Sequence, residues 1–333
     1  METMKKISRR TAVFGAGTFA LSGPLIRRAK ASTPISFRLD WAIYGSHAPF
    51  YLALQEKMYE KAGLDVTIGE GQGSATVAKI VGQGNDPVGF LDFTSTIRAV
   101  EQGIPLVAIG RVISNVMCVI SHAEAPIRAP KELEGKVVAY GATESTGQML
   151  PALLQRSDVD ASKINVLNPA TGAKNAVFLQ GRADAIPANV NVQIAQLEEQ
   201  GAKLYHFLFS DFGVEMMNNG IVANTNWVRQ NRDAAKAFVR TSLDAFMMSK
   251  EDPDKAIDLL IKRVPQQARN RNVLRRQLDL TFPSLVTRNT VGKPLGSMAD
   301  QDWHDTQDLL LKYGGLSRAV EPSKLYTNDL IEG

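Results

Sequence analysis

Four side chains suited to molecular recognition crowd one short segment: Trp41, Tyr44, His47 and Phe50. They follow Ile35–Asp40, whose alternation reads as a strand, and lead into an amphipathic stretch over 48–61 stopped by Gly63. Rings at the carboxyl end of a strand can sandwich a flat solute, each stack contributing roughly 1 kcal/mol. The same rings can instead plug the space between loop and sheet. His47 has two roles open to it, donor to a ligand or cap of the following helix. Asp92 ends the strand Val88–Leu91 and precedes Phe93-Thr94-Ser95, which opens a helix. Its carboxylate can accept from a ligand amino group or from its own helix's first N–H groups. Glu215, after Gly213-Val214, suits an amidine-like edge or an ammonium, or is a surface acid. Ser145 and Thr146 lie in Gly141-Ala142-Thr143-Glu144-Ser145-Thr146-Gly147, where a strand gives way to a helix N-terminus fit for an anion or a carbonyl. Asn189 holds the corresponding place in the next unit and could supply an amide.

Catalytic chemistry finds less support. The histidines at 47, 122, 206 and 304 stand apart, without metal-ligand spacing. Gly141–Gly147 lacks the lysine of a phosphate-cradling P-loop. No Gly-x-Ser-x-Gly elbow occurs. The single cysteine, Cys118, sits in the apolar run Val116–Ile120 and allows neither an internal disulfide nor a cysteine metal cluster. These residues point to a binding protein with no catalytic residue, metal or cofactor.

The positioning elements alternate. Strands are expected at 35–40, 64–68, 88–91 and 106–113, with helices between them, one capped by Ser74. The strand 116–121 leads into a polar, proline-bearing stretch, 125–135. Alternation then resumes through strands 136–140, 164–167, 185–188 and 204–209, with helices from 145, 173 and 192. Strand 220–222 closes this block. From Trp227 to Leu280 the chain reads as helical, with Asn226 as a cap and Pro253 in a first turn; a last helix is expected over 302–311. Such alternation implies right-handed crossovers and mostly parallel sheets. The expected domains are 32–121 plus 220–333 as lobe I and 122–219 as an inserted lobe II. Two hinge strands, near 117–121 and 220–223, would join them. Solutes of such sheets bind at the carboxyl ends of strands, so two facing sheets make a cleft.

The N-terminus reads as an export signal over 1–31. Ser8-Arg9-Arg10-Thr11 precedes an uncharged run from Thr11 to Ile26, and Ala29-Lys30-Ala31 is a small-x-small exit. Paired arginines point to the twin-arginine route, although Ala12 and Val13 replace the usual bulky residues. The run is too short and too glycine-rich for a membrane span. Residues 1–31 hold seven Lys/Arg against the single acid Glu2, a surplus of six, so the chain's formal +4 becomes −2 without them. That balance gives no support for a nucleic-acid partner. No cysteine stands near the cut, so the expected form is soluble in the periplasm; a monomer is expected.

Nine short motifs in register carry a family resemblance. They are Leu39-Asp40-Trp41, His47-Ala48-Pro49-Phe50-Tyr51, Gly63-Leu64-Asp65-Val66, Gly71-Gln72-Gly73-Ser74 and Gly89-Phe90-Leu91-Asp92, then Gly103-Ile104-Pro105, Glu132-Leu133-Glu134-Gly135-Lys136, Gly181-Arg182-Ala183-Asp184-Ala185 and Ser210-Asp211-Phe212-Gly213-Val214-Glu215. Over about 34–325 the chain resembles the thiamine-pyrimidine/sulfonate-type solute-binding proteins of ABC importers. The resemblance implies a type II periplasmic-binding fold: two α/β lobes, a ligand cleft, two hinge crossings and delivery of a small solute to a permease with its ATPase. Trp41, the His47–Phe50 segment and Gly213-Val214-Glu215 resemble the branch that binds flat aminopyrimidines. That branch often has Pro-Asn after the tryptophan, where this chain has Ala42-Ile43-Tyr44. The alternative solute is an alkanesulfonate, nitrate or other small anion, held by Ser145, Thr146 and helix ends with help from Arg111. Thiamine-pyrimidine synthases share the fold family but carry a lysine and a histidine around the segment matching Gly89–Ser95, and a cysteine-rich motif near the hinge return. Neither occurs here, so the resemblance implies a binder. A pyrimidine-precursor synthase or a sensory protein is the remote alternative.

Overall fold

The computed structural model describes residues 32–141, 144–170 and 173–332; the expected export signal lies outside the described residues. In chain order the first run is β1 (Thr33–Arg38), α1 (Ala48–Gln55), α2 (Met58–Lys61), β2 (Leu64–Gly69), α3 (Ser74–Gln83), β3 (Val88–Asp92), α4 (Phe93–Glu101) and β4 (Leu106–Arg111). The second run is β5 (Met117–His122), β6 (Val137–Ala139), α5 (Ser145–Arg156), β7 (Asn165–Leu167), α6 (Lys174–Leu179), β8 (Ala185–Asn189), α7 (Val190–Glu199) and β9 (Leu204–Leu208). Then come β10 (Asn219–Asn224), α8 (Thr225–Gln230), α9 (Arg232–Glu251), α10 (Pro253–Arg263), α11 (Arg271–Thr281), α12 (Asp300–Tyr313) and α13 (Pro322–Leu325).

Two five-stranded sheets result, in the orders β2-β1-β3-β10-β4 and β7-β6-β8-β5-β9. Both are mixed. β1 pairs parallel with β2 and β3, whereas β10 runs antiparallel to β3 and β4. β6 pairs parallel with β7 and β8, whereas β5 runs antiparallel to β8 and β9. The sheets are therefore built alike. In each, the antiparallel member is the strand that the chain enters just after leaving the other sheet.

The two passages between sheets lie slightly ahead of the strands expected as hinges. β5 pairs wholly within the second sheet, so the first crossing occupies 112–116 rather than 117–121. It is tied to the return crossing by paired backbone: the N–H groups of Val112 and Ile113 donate to the Asn219 carbonyl at 3.0 and 2.7 Å, and Asn218 N–H donates to Ile113 at 2.9 Å. Asn115 takes a left-handed conformation there, with φ 55°.

Alternating burial explains the first strand. Ile35, Phe37 and Leu39 face the core, and Phe37 meets Phe50 and Phe238 at ring separations of 4.8 and 5.1 Å. Each such fully buried ring contributes roughly 2–3 kcal/mol relative to exposure. The helical stretch over 48–61 is two helices, broken where Lys57 turns left-handed at φ 57°. Two expected caps move. Ser74 is the first residue of α3 rather than its cap, and its hydroxyl accepts from Asp92 N–H at 3.0 Å. Asn224, not Asn226, caps α8 by accepting from the N–H groups of Asn226 and Trp227.

Candidate functional site

The connection after β1 is fixed from behind by a small polar cluster. Asp40 accepts from His47 Nε2–H at 2.8 Å, from Asn219 Nδ2 at 2.9 Å and from the Tyr44 hydroxyl at 3.3 Å. The other ring nitrogen, His47 Nδ1, accepts from Tyr44 N–H at 3.3 Å. Burial, reinforced by the neighbouring Asp40 carboxylate, pushes the Tyr44 phenol well above its usual range, so it stays a donor. The 3-10 turn Gly45–His47 then hands the chain to α1. This clamp leaves Trp41 projecting outward, 57% exposed, with Gly73 beside its six-membered ring. A side chain at Gly73 would sit 3.6 Å from the indole at a φ of +104°, a conformation that glycine tolerates.

Facing the tryptophan are the carboxyl ends of β6, β7 and β8 and the helices that come after them. Glu144, Ser145 and Thr146 come from the start of α5, Lys174 and Asn175 from the start of α6, and Asn189, Gln193 and Gln196 from the entry and first turns of α7. With Trp41, Ala42, Ile43 and Tyr44 these enclose a cavity of about 470 Å³, a size in the range of small-molecule sites. Lys174 is buried, and its ammonium donates to the Glu144 carboxylate and, at 2.9 Å, to the Pro187 carbonyl. Thr146 Oγ1 donates to the same carbonyl at 3.3 Å. Asn189 Oδ1 is buried without a hydrogen-bond partner in the described structure. Its backbone N–H donates to Gln193 Oε1 at 2.9 Å. The wall therefore offers one charge-balanced Lys–Glu pair, several amides and an acceptor waiting for a donor.

Of the side chains singled out from sequence, Trp41, Tyr44, Ser145, Thr146 and Asn189 line this cavity. Four do not. Phe50 is fully buried against Phe37, Phe90 and Phe246, the plug rather than the pocket, because its place on α1 turns it into the sheet. His47 is also buried and holds the loop through Asp40. Asp92 caps α4, accepting from Thr94 N–H at 2.9 Å, Ser95 N–H at 3.3 Å and the Thr94 hydroxyl. Burial nevertheless outweighs these bonds and pushes its carboxyl up to about 6. Glu215 pairs with Arg288 at 3.1 Å beside a separate hollow of about 180 Å³. Arg111, the cation expected to help an anionic solute, is buried and spent on Ser297, Ser114 and Thr290.

Glu144, Lys174, Asn175, Gln193 and Gln196 are not singled out by sequence. A signal existed. The rule that selects Ser145 and Asn189, the start of a helix after a parallel strand, applies equally to the unit between β7 and α6 and leads to Lys174 and Asn175. Glu144 lies within Gly141–Gly147, beside hydroxyls that are the more obvious ligand groups there.

The description "NMT1/THI5 like" belongs to the family model that matches residues 45–256. The formylaminopyrimidine-binding protein of Halalkalibacterium halodurans is 22% identical over 295 residues, 87% of this chain and 88% of that protein. The riboflavin-binding protein RibY of Chloroflexus aurantiacus is 24% identical over 296 residues, 86% of this chain and 82% of its own. Among solved structures, the periplasmic aliphatic sulphonate binding protein SsuA from Escherichia coli superposes with a TM-score of 0.68 at 16% identity, covering 91% of this chain and 94% of that one.

Proposed function

Because the chain belongs to the NMT1/THI5-like family, we propose that it is the solute-binding component of an ABC importer and that its cleft captures a small, planar, nitrogen-bearing solute for delivery to a permease. The observation that carries the solute class is the exposed indole of Trp41 facing a wall of hydrogen-bonding groups with no net charge. A flat ring stacks on the indole while its amino edge donates to Glu144 and to the unpartnered Asn189 Oδ1. Glu144 takes the part first expected of Asp92 or Glu215. Turnover is not part of this reading; capture and release are the activity. The same reading places the chain in the periplasm as a monomer after twin-arginine export, with the two sheets as the cores of two lobes that close on the solute.

The anionic alternative draws less from the geometry. Lys174 is already neutralised by Glu144, and Arg111 does not line the cavity. Calorimetry of residues 32–333 against 4-amino-5-hydroxymethyl-2-methylpyrimidine, formylaminopyrimidine, an aliphatic sulphonate and nitrate separates the two. Micromolar or tighter binding of an aminopyrimidine, weakened at least tenfold by Glu144→Gln, is the expected result. Tight binding of the sulphonate or nitrate with no heat from either pyrimidine would overturn the proposal.

A further inference from the structure

A second hollow, of about 310 Å³, adjoins the cleft and shares Ile43, Tyr44, Asn175 and Gln196 with it. Side-chain amides converge on it from four elements: Asn175 on α6, Gln196 on α7 with Gln200 just past its end, Gln267 and Asn270 on the 3-10 stretch Pro265–Asn270, and Gln277 on α11. The amides are organised in pairs that use only part of their capacity. Asn175 Nδ2 donates to Gln196 Oε1 at 3.1 Å, and Asn270 Nδ2 donates to Gln267 Oε1 at 2.9 Å. Among the described residues, each pair thus keeps an NH2 group on its glutamine and a carbonyl on its asparagine without a partner. Leu274 provides an apolar floor. Among the described residues, Glu199 is the charged one on the rim, and no Lys or Arg lines the hollow.

Building on the ring-in-cleft reading above, we infer that this hollow is a subsite for a neutral, hydroxyl-rich extension of the solute, a polyol or glycosyl chain attached to the stacked ring. Amides present donors and acceptors together, which matches hydroxyl groups that are both. They require no counter-charge. The apolar floor meets the C–H faces between hydroxyls. A phosphorylated or sulfonated extension would meet a carboxylate and no cation, so a terminal anion is rejected rather than recognised. The hollow therefore selects the substituent on the ring, whereas Trp41 and Glu144 select the ring itself.

Two matched series test this on residues 32–333: cytosine, cytidine and cytidine monophosphate, and lumichrome, riboflavin and flavin mononucleotide. In a series whose bare ring binds, the hydroxylated compound should bind at least tenfold tighter than the ring, and the phosphorylated compound at least tenfold weaker than the hydroxylated one. Gln267→Ala and Asn270→Ala should shrink the gain from the hydroxylated chain to within about threefold while leaving affinity for the bare ring within twofold. That last comparison also reports whether each variant is folded. Equal affinity for ring and hydroxylated compound, or tighter binding of the phosphorylated one, overturns the subsite and leaves the ring reading intact. Failure of every bare ring overturns the ring reading, and the subsite with it.

Discussion

Trp41 and Phe50 belong to one connection yet serve opposite ends. Phe50 lies on α1 facing the sheet, where Phe37, Phe90 and Phe246 surround it. Trp41 precedes the clamp formed by Asp40 and His47 and stays outside the core. Phe50→Ala should cost about 3–5 kcal/mol of stability in a denaturant titration. Trp41→Ala should leave the denaturation midpoint almost unchanged but weaken ring binding roughly tenfold or more, through loss of the stack and its buried area. Asp92 carries a pH effect of defined sign. Its folded carboxyl, pushed up to about 6 from an ordinary 3.8, holds its proton more tightly than the unfolded one does. Its contribution to stability is full below 3.8 and is lost as pH rises through about 6. Asp92→Asn keeps an N-cap and removes the titration. Between pH 4 and 7 the wild type should therefore lose about 1–2 kcal/mol relative to the variant, measured by urea unfolding.

At the scale of elements, the cleft depends on how closely the Gly45–His47 turn approaches α11. A Cβ at Gly45 would lie 2.2 Å from the Leu274 carbonyl and 2.6 Å from Leu278 N, both main-chain atoms that cannot swing aside. Gly45 N–H also donates to Gln277 Oε1 at 2.9 Å. Gly45→Ala should push the turn away from α11 and lower the thermal midpoint by several degrees, with ring affinity falling alongside because Tyr44 moves with the turn; scanning calorimetry and binding on one preparation check both. This approach left no mark in the sequence, since it joins residues far apart in the chain. Alternation did reveal the strands of both sheets to within a residue or two, because burial on one face imposes a period that local reading detects. Strand ends and helix starts then led to Ser145, Thr146 and Asn189. Glu215 and Asp92 lie outside the cavity for a physical reason: a carboxylate near a strand end is equally served by a helix N-terminus or an arginine, and only tertiary structure decides between them. The same rule reaches Lys174, but its burial and its pairing with Glu144 show only in the tertiary structure.

For the whole molecule, α7 joins the cleft to the contact between the two halves. Gln193 and Gln196 line the cavity, while Glu198 accepts from Nε and Nη2 of Arg276 on α11, at 2.9 and 3.2 Å. Nearby, Gln277 Nε2 donates to the Val192 carbonyl at 3.2 Å, and Asn191 Nδ2 donates to Ser46 Oγ at 3.2 Å. On the reading proposed above, a solute held by α7 favours the arrangement in which these bonds form. The Glu198–Arg276 pair is solvent-exposed and adds little to folding. Arg276→Ala should leave the melting temperature nearly unchanged and weaken solute affinity about two- to fivefold, mainly through faster release in stopped-flow measurements.

The most direct measurement is a crystal structure of residues 32–333 with a bound aminopyrimidine. The ring should lie parallel to the Trp41 indole at about 3.5–4 Å, with its amino group within hydrogen-bond reach of Glu144 or Asn189 Oδ1. Density for the solute in the hollow between Glu215 and Arg288, or in the cleft with the indole turned away from it, would contradict the assignment.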